Sequence, residues 1–174
     1  MAIIDYPITS NYGDIDSMHK LPHKGMDFGL PLYTPVEAIQ DATVSYVGTN
    51  DILGNHIKLK LYNGDTIIYG HLAQFKVNLN DKVHKGDIIA LSGGMPGMQG
   101  AGHSNGPHLH LTSIKDGITV NPEPYLLGEQ QSDSIPLIFP IMIILILFVC
   151  WKIKRILFYG LGLFALIGIV FLVS

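Results

Sequence analysis

Residues 106–111 read GPHLHL and set His108 and His110 two positions apart. Side chains of a strand alternate between its faces, so in a strand these two imidazoles stand side by side over one space. Such a pair is either two histidines on a solvated face or half of a larger constellation, and the rest of the chain decides between them. A second group, HKGMD, places His23 and Asp27 four apart around Gly25. These are a nitrogen and an oxygen donor that can converge on one ion across a bend. Taken alone, the spacing fits a loop ion pair equally well. A third element, YGHL, brings His71 to the end of a β-branched run. Cys150 is the only cysteine, which excludes an intrachain disulfide and a thiolate metal site. Any metal is therefore held by histidine and carboxylate.

The elements that must position these residues are strands. The runs ATVSYVG (42–48), HIKLKLY (56–62) and TIIYGHL (66–72) alternate or are β-branched. YNGD (62–65) puts Asn63-Gly64 between two of them, which predicts a two-residue hairpin turn. VHKGDIIALSGG (83–94) adds a turn and a further strand. Turn residues recur at short intervals, and no long amphipathic helix interrupts them. The expected fold is mainly β, an antiparallel sheet domain over 1–126. A polar linker at 127–134 follows, and then a change of solvent. Residues 135–151 and 156–173 are uncharged apolar runs close to the length of roughly 17–25 residues that spans a bilayer. KIKR joins them, and Trp151 marks a run end. Residues 135–174 are thus expected to form a two-helix transmembrane hairpin in contact with the lipid bilayer. Gly160, Gly162 and Gly168 on the second helix suit helix–helix association.

The formal net charge is −3, and all 14 acidic residues precede residue 135. Arg155 is the only arginine and there is no basic stripe, so nucleic acid is excluded as a partner. The N-terminal MAIIDYPITSNYGD has neither a charged n-region nor an apolar h-region, and is expected not to be a signal peptide.

In order, the segments ITSNYG, HKGMDFGLPLYTPVEAIQDATVSYVG, GNHIKLKLYNGDTIIYGHL, VHKGDIIALSGG and SNGPHLHL…VNPEPYL closely resemble the lysostaphin-type (LytM-like) zinc metallopeptidases that cut peptidoglycan. The resemblance covers residues 7 to 126. It implies zinc as cofactor, with His23, Asp27 and His110 as its ligands. It also implies that His71 and His108 are catalytic histidines that do not bind metal. One imidazole of the HLH pair would then hold the ion while its neighbour on the same strand face addresses water and substrate beside it. Zinc with three protein ligands keeps a position open for catalysis. One nearby histidine would take a proton and return it to the leaving amine, and the other would stabilise the oxyanion. A histidine base predicts activity that rises with pH near 6.5, or lower beside a metal charge.

The chain departs from the family pattern in three places. The 93–106 loop is longer than the usual connection, Thr112 stands where a glutamate is common, and Asp14 follows Gly13 where an arginine is common. These bear on cleft shape and substrate choice and leave the five site residues intact. Of the other histidines, His19 is separated from His23 by Pro22 and is not used by the pattern. His56 and His84 are expected at the surface. His103, in the glycine-rich loop, can reach substrate, and Tyr12 can line the cleft. The expected protein is a multi-pass, membrane-anchored zinc metalloendopeptidase facing peptidoglycan, with a phage virion-associated enzyme of cell-wall entry as the favoured setting. The alternative is a catalytically silent wall-binding or regulatory relative. A glycosidase needs two carboxylates flanking a cleft, and no such pair stands beside the cluster.

Overall fold

The computed structural model describes residues 2–15 and 21–128, together with Phe148 and Trp151. Contacts divide the chain into two compact units, Met1–Gln130 and Gln131–Ser174. Among the described residues of the first unit, a 3-10 turn at Ile3–Asp5 precedes eleven strands and one short helix. The strands are β1 (Ile8–Ser10), β2 (Met26–Phe28), β3 (Pro35–Glu37), β4 (Ala42–Asn50), β5 (Gly54–Leu61), β6 (Thr66–Gly70), β7 (Leu72–Phe75), β8 (Lys82–Val83), β9 (Ile88–Ser92), β10 (Leu109–Lys115) and β11 (Ile118–Val120). The helix α1 spans Glu123–Leu127 and ends on Gly128 in the left-handed conformation.

The main sheet runs β1-β2-β10-β6-β5-β4-β8, with β11 added to the far end of β10, and a small second sheet runs β3-β9-β7. Every pairing is antiparallel, as the mainly β reading requires. Strand alternation divides the main sheet cleanly. Met26 and Phe28, Leu109 and Leu111, Ile67 and Tyr69, and Ile57 and Leu59 are buried in one core with Val36, Leu72 and Ile89 of the second sheet. The residues between them, Asp27, His110 and Thr112 among them, belong to the opposite face. This division explains why the chemistry-bearing residues occupy alternate positions in the sequence.

Two local expectations are corrected. The β5–β6 turn is a three-residue loop, not a two-residue one: Leu61 N–H bonds Asp65 O at 2.9 Å and Gly64 N–H bonds Leu61 O at 3.1 Å. A two-residue type I′ turn needs positive φ at both central positions, whereas here only Gly64 has it, at 93°. Second, TIIYGHL is not one strand. It breaks at His71, whose φ is 57°, and the chain leaves β6 of the main sheet to enter β7 of the second.

His56 is also not a surface residue. It is 2% exposed, stacked on Tyr46 at 4.8 Å, with its Nδ1 3.0 Å from Gly54 O. His84 is exposed as expected. His19, the linker from 129 onward and the two apolar runs 135–151 and 156–173 lie outside the described residues, apart from Phe148 and Trp151. Those two are helical, with rings 6.1 Å apart. Among the described residues no helix is long and apolar enough to cross a membrane.

Candidate metal centre

Strand register builds the centre. His110 on β10 lies opposite Asp27 on β2 and Gly70 on β6. A carboxylate and an imidazole on directly paired positions of one sheet face meet without any loop having to place them. His23 arrives from the segment before β2, where its backbone is tied to Asp14 O and Gly13 N. Gly25 allows the bend. A Cβ there would sit 2.4 Å from Leu111 O and 2.7 Å from the His110 ring, so the HKGMD segment crosses β10 closely only because this position has no side chain.

The three donor atoms converge. His110 Nδ1 is 2.8 Å from Asp27 Oδ1, His23 Nε2 is 3.1 Å from His110 Nδ1, and His23 Nε2 is 3.5 Å from Asp27 Oδ1. Tetrahedral zinc with ligands near 2.0–2.1 Å separates its donors by about 3.3 Å, so the cluster matches the ion to within small adjustments. Two nitrogens and one carboxylate oxygen, with no sulfur, form a donor set of zinc enzymes. Each imidazole is also held from behind. His23 Nδ1 lies 3.1 Å from both Asn11 O and Ser10 Oγ, which leaves Nε2 to the metal. His110 Nε2 lies 2.8 Å from Thr112 Oγ1, which leaves Nδ1. Burial would raise the Asp27 carboxyl. The hydrogen bond from His110 and the charges of His110, His108 and His23 outweigh burial and hold it below the ordinary carboxylate value.

The other two predicted histidines join this cluster from loops. His71 N–H bonds Leu53 O and its Nδ1 faces Ala101 O, both at 2.8 Å. His108 Nδ1 lies 2.8 Å from Gly106 O and 3.1 Å from Ser104 Oγ, and its Nε2 is 3.9 Å from Asp27 Oδ1. The His71 ring centroid is 4.5 Å from that of His108 and 5.9 Å from that of His110. In both rings Nδ1 is engaged by main-chain oxygen and Nε2 is the nitrogen left for chemistry. Burial, with the nearby His108 charge, pushes the His71 ring down to about 4, against the opposing hydrogen bond to Ala101. Its ring is therefore neutral at neutral pH.

The long 93–106 loop explains this second group. It lies against the β4–β5 turn through Asn55 N–H to Gly100 O at 2.7 Å and His103 N–H to Ile52 O at 2.9 Å. Gly54, at φ 60°, has no room for a side chain, since a Cβ would fall 2.1 Å from Gly100 O. The extra loop length thus carries the Ala101 carbonyl to His71. Sequence reading singled out the loop but missed Ala101, Leu53 and Gly106, because a main-chain carbonyl leaves no mark in residue type. Thr112 stood out in the sequence as a departure from the family pattern but without a partner, and Ser10 did not stand out.

All five residues line one cleft of about 1150 Å³, walled by Leu21, Pro22, Ile52 and Pro107. Its floor continues over Ile68 and Ile114. His103 lines it, as expected. Tyr12 does not: its ring packs on the core and its hydroxyl donates to Thr119 O at 2.7 Å, anchoring β11.

Against known proteins, the family described as Peptidase family M23 matches residues 21–122. The peptidoglycan DD-endopeptidase ShyC of Vibrio cholerae serotype O1 is 32% identical over 110 residues, 63% of this chain and 24% of that protein. The chain spans about a quarter of the length of the first curated relatives it matches. The catalytic domain of the antimicrobial peptidase lysostaphin from Staphylococcus simulans superposes with a TM-score of 0.63 at 29% identity, over 72% of this chain and 95% of that one. The catalytic domain of the prophage-encoded M23 protein EnpA from Enterococcus faecalis gives 0.59 at 30% identity, over 68% and 89%.

Proposed function

The chain belongs to peptidase family M23, and from that premise we propose that it is a zinc metalloendopeptidase that hydrolyses peptide bonds of bacterial peptidoglycan. One observation carries the reading: three metal-donor atoms within 3.5 Å of one another share a cleft with two further histidines whose Nδ1 atoms are already engaged. When bound, zinc supplies Lewis-acid activation of water and of the scissile carbonyl near neutral pH. The chain's own residues do the rest. His23, Asp27 and His110 hold the ion. Because burial keeps the His71 ring neutral, its Nε2 holds a lone pair and accepts the proton of the attacking water. His71 then returns that proton to the departing amine, and His108, the more open of the two, stabilises the oxyanion. The apolar walls seat the peptide and limit water around the reacting bond.

The test is digestion of purified peptidoglycan with mass spectrometry of the released muropeptides. New free amine and carboxyl termini in cross-links or stem peptides support the proposal. A chain that binds zinc and wall but releases nothing is instead the silent, wall-binding relative.

The same proposal anchors the enzyme through residues 135–174, with the domain on the wall side of the bilayer. Two uncharged runs around a KIKR loop support this, because positive loops stay cytoplasmic and both ends of the hairpin then face outward. Flotation with lipid vesicles by the full chain, but not by a chain ending at residue 130, is the expected result. The setting we propose is a phage particle that opens the wall at entry, a reading supported by the likeness to a prophage-encoded relative. Detection of the chain in purified particles tests it.

A further inference from the structure

We propose that Thr112 is a positioning residue for the metal ligand His110. This rests on the zinc reading of the site but not on peptidoglycan being the substrate.

Thr112 follows His110 by two positions on β10, so both project from the same sheet face. It is 6% exposed and pairs with Ile68, itself 6% exposed, so its hydroxyl is held in place by packing on a strand. A β-branched side chain is stiff at χ1, which fixes Oγ1 further. That oxygen lies 2.8 Å from His110 Nε2. His110 faces the other donors through Nδ1. An imidazole that ligates through Nδ1 carries its hydrogen on Nε2, and Thr112 Oγ1 is the acceptor placed to receive it. Without it, this ring nitrogen loses a 2.8 Å partner and the ring loses a restraint on rotation about χ2.

The experiment uses the full chain in detergent and compares Thr112→Val and Thr112→Ser. Zinc affinity is read by chelator competition, and the His110 ring by long-range proton–nitrogen NMR of the zinc-loaded chain. Thr112→Val keeps the shape and removes the acceptor, so zinc affinity falls by about 10–100-fold, as for other partners of metal ligands. Thr112→Ser restores it to within about twofold. A Thr112→Val chain that binds zinc like the unsubstituted one overturns the positioning role. If the valine chain does not fold, a serine chain with tenfold weaker zinc binding is equally fatal. Tight zinc binding with the expected ranking, but no wall hydrolysis, would sink the peptidase reading and leave this one standing.

Discussion

The two halves of the centre are built by different means. On the metal side, Asp27 and His110 are register partners on adjacent strands, and their neighbours in sequence are fully buried core residues. On the side to which the proposal assigns proton transfer, His71 sits at a break between two sheets with φ 57°, and its ring is aimed by Ala101 O from a glycine-rich loop. A strand pair sets a donor distance by the same hydrogen bonds that hold the sheet. A loop sets it through glycines that permit close approach and a main-chain carbonyl that happens to arrive. The metal side should therefore fail only when its ligands or the strand crossing fail, and it should fail by losing zinc. The other side should fail by losing rate while zinc stays.

The largest effect expected is at the ligands. Asp27→Ala or His110→Ala should abolish both zinc binding and wall hydrolysis, measured by metal content and muropeptide release. An active Asp27→Ala chain with full zinc would remove Asp27 from the ligand set. Next comes a matched pair of glycine substitutions. Gly25→Ala drives a Cβ into Leu111 O and the His110 ring, so zinc affinity should drop sharply. Gly54→Ala drives one into Gly100 O and should displace the loop that aims His71, cutting turnover by roughly tenfold or more, within the range of acid–base contributions, while zinc affinity holds. If both glycines give the same phenotype, the contrast between the halves is wrong.

The smallest effect is thermodynamic. His71 is held at about 4 by burial, against about 6.5 in an unfolded chain. Between those values the unfolded chain binds more protons, so stability falls as pH is lowered through that window. The loss reaches roughly 3 kcal/mol at most. Denaturant midpoints of zinc-stripped protein from pH 7 to 4 should show it, and His71→Gln should flatten it. For the same reason the rising limb of activity assigned to His71 belongs near pH 4, lower than an unperturbed histidine would place it. Activity that halves only near pH 6.5 would transfer the base role to another group.

How far the sequence could be read follows the same division. GPHLHL was legible because strand alternation puts positions two apart on one face, and the antiparallel β class followed from the same alternation, whereas HKGMD was legible from its donor types on either side of the bend at Gly25. The break at His71 was not legible, since TIIYGHL opens on three β-branched residues and reads as one strand, and nothing in residue type marks a left-handed histidine. The Asn63-Gly64 turn was located correctly, but its length was not, because Asn-Gly serves both a two-residue loop and a three-residue loop with glycine last. His56 read as a surface residue because a histidine opening a strand is usually solvated, whereas here Tyr46 covers it. Ala101 was beyond reach, because its contribution is a backbone oxygen.

Three residues are proposed to hold zinc while two others move protons, and zinc content and hydrolysis measured together on His71→Ala and His108→Ala test that division most directly. Both chains should retain one zinc each, with hydrolysis of purified wall reduced by about a hundredfold or more. Loss of zinc from either chain would make that histidine a ligand and contradict the account.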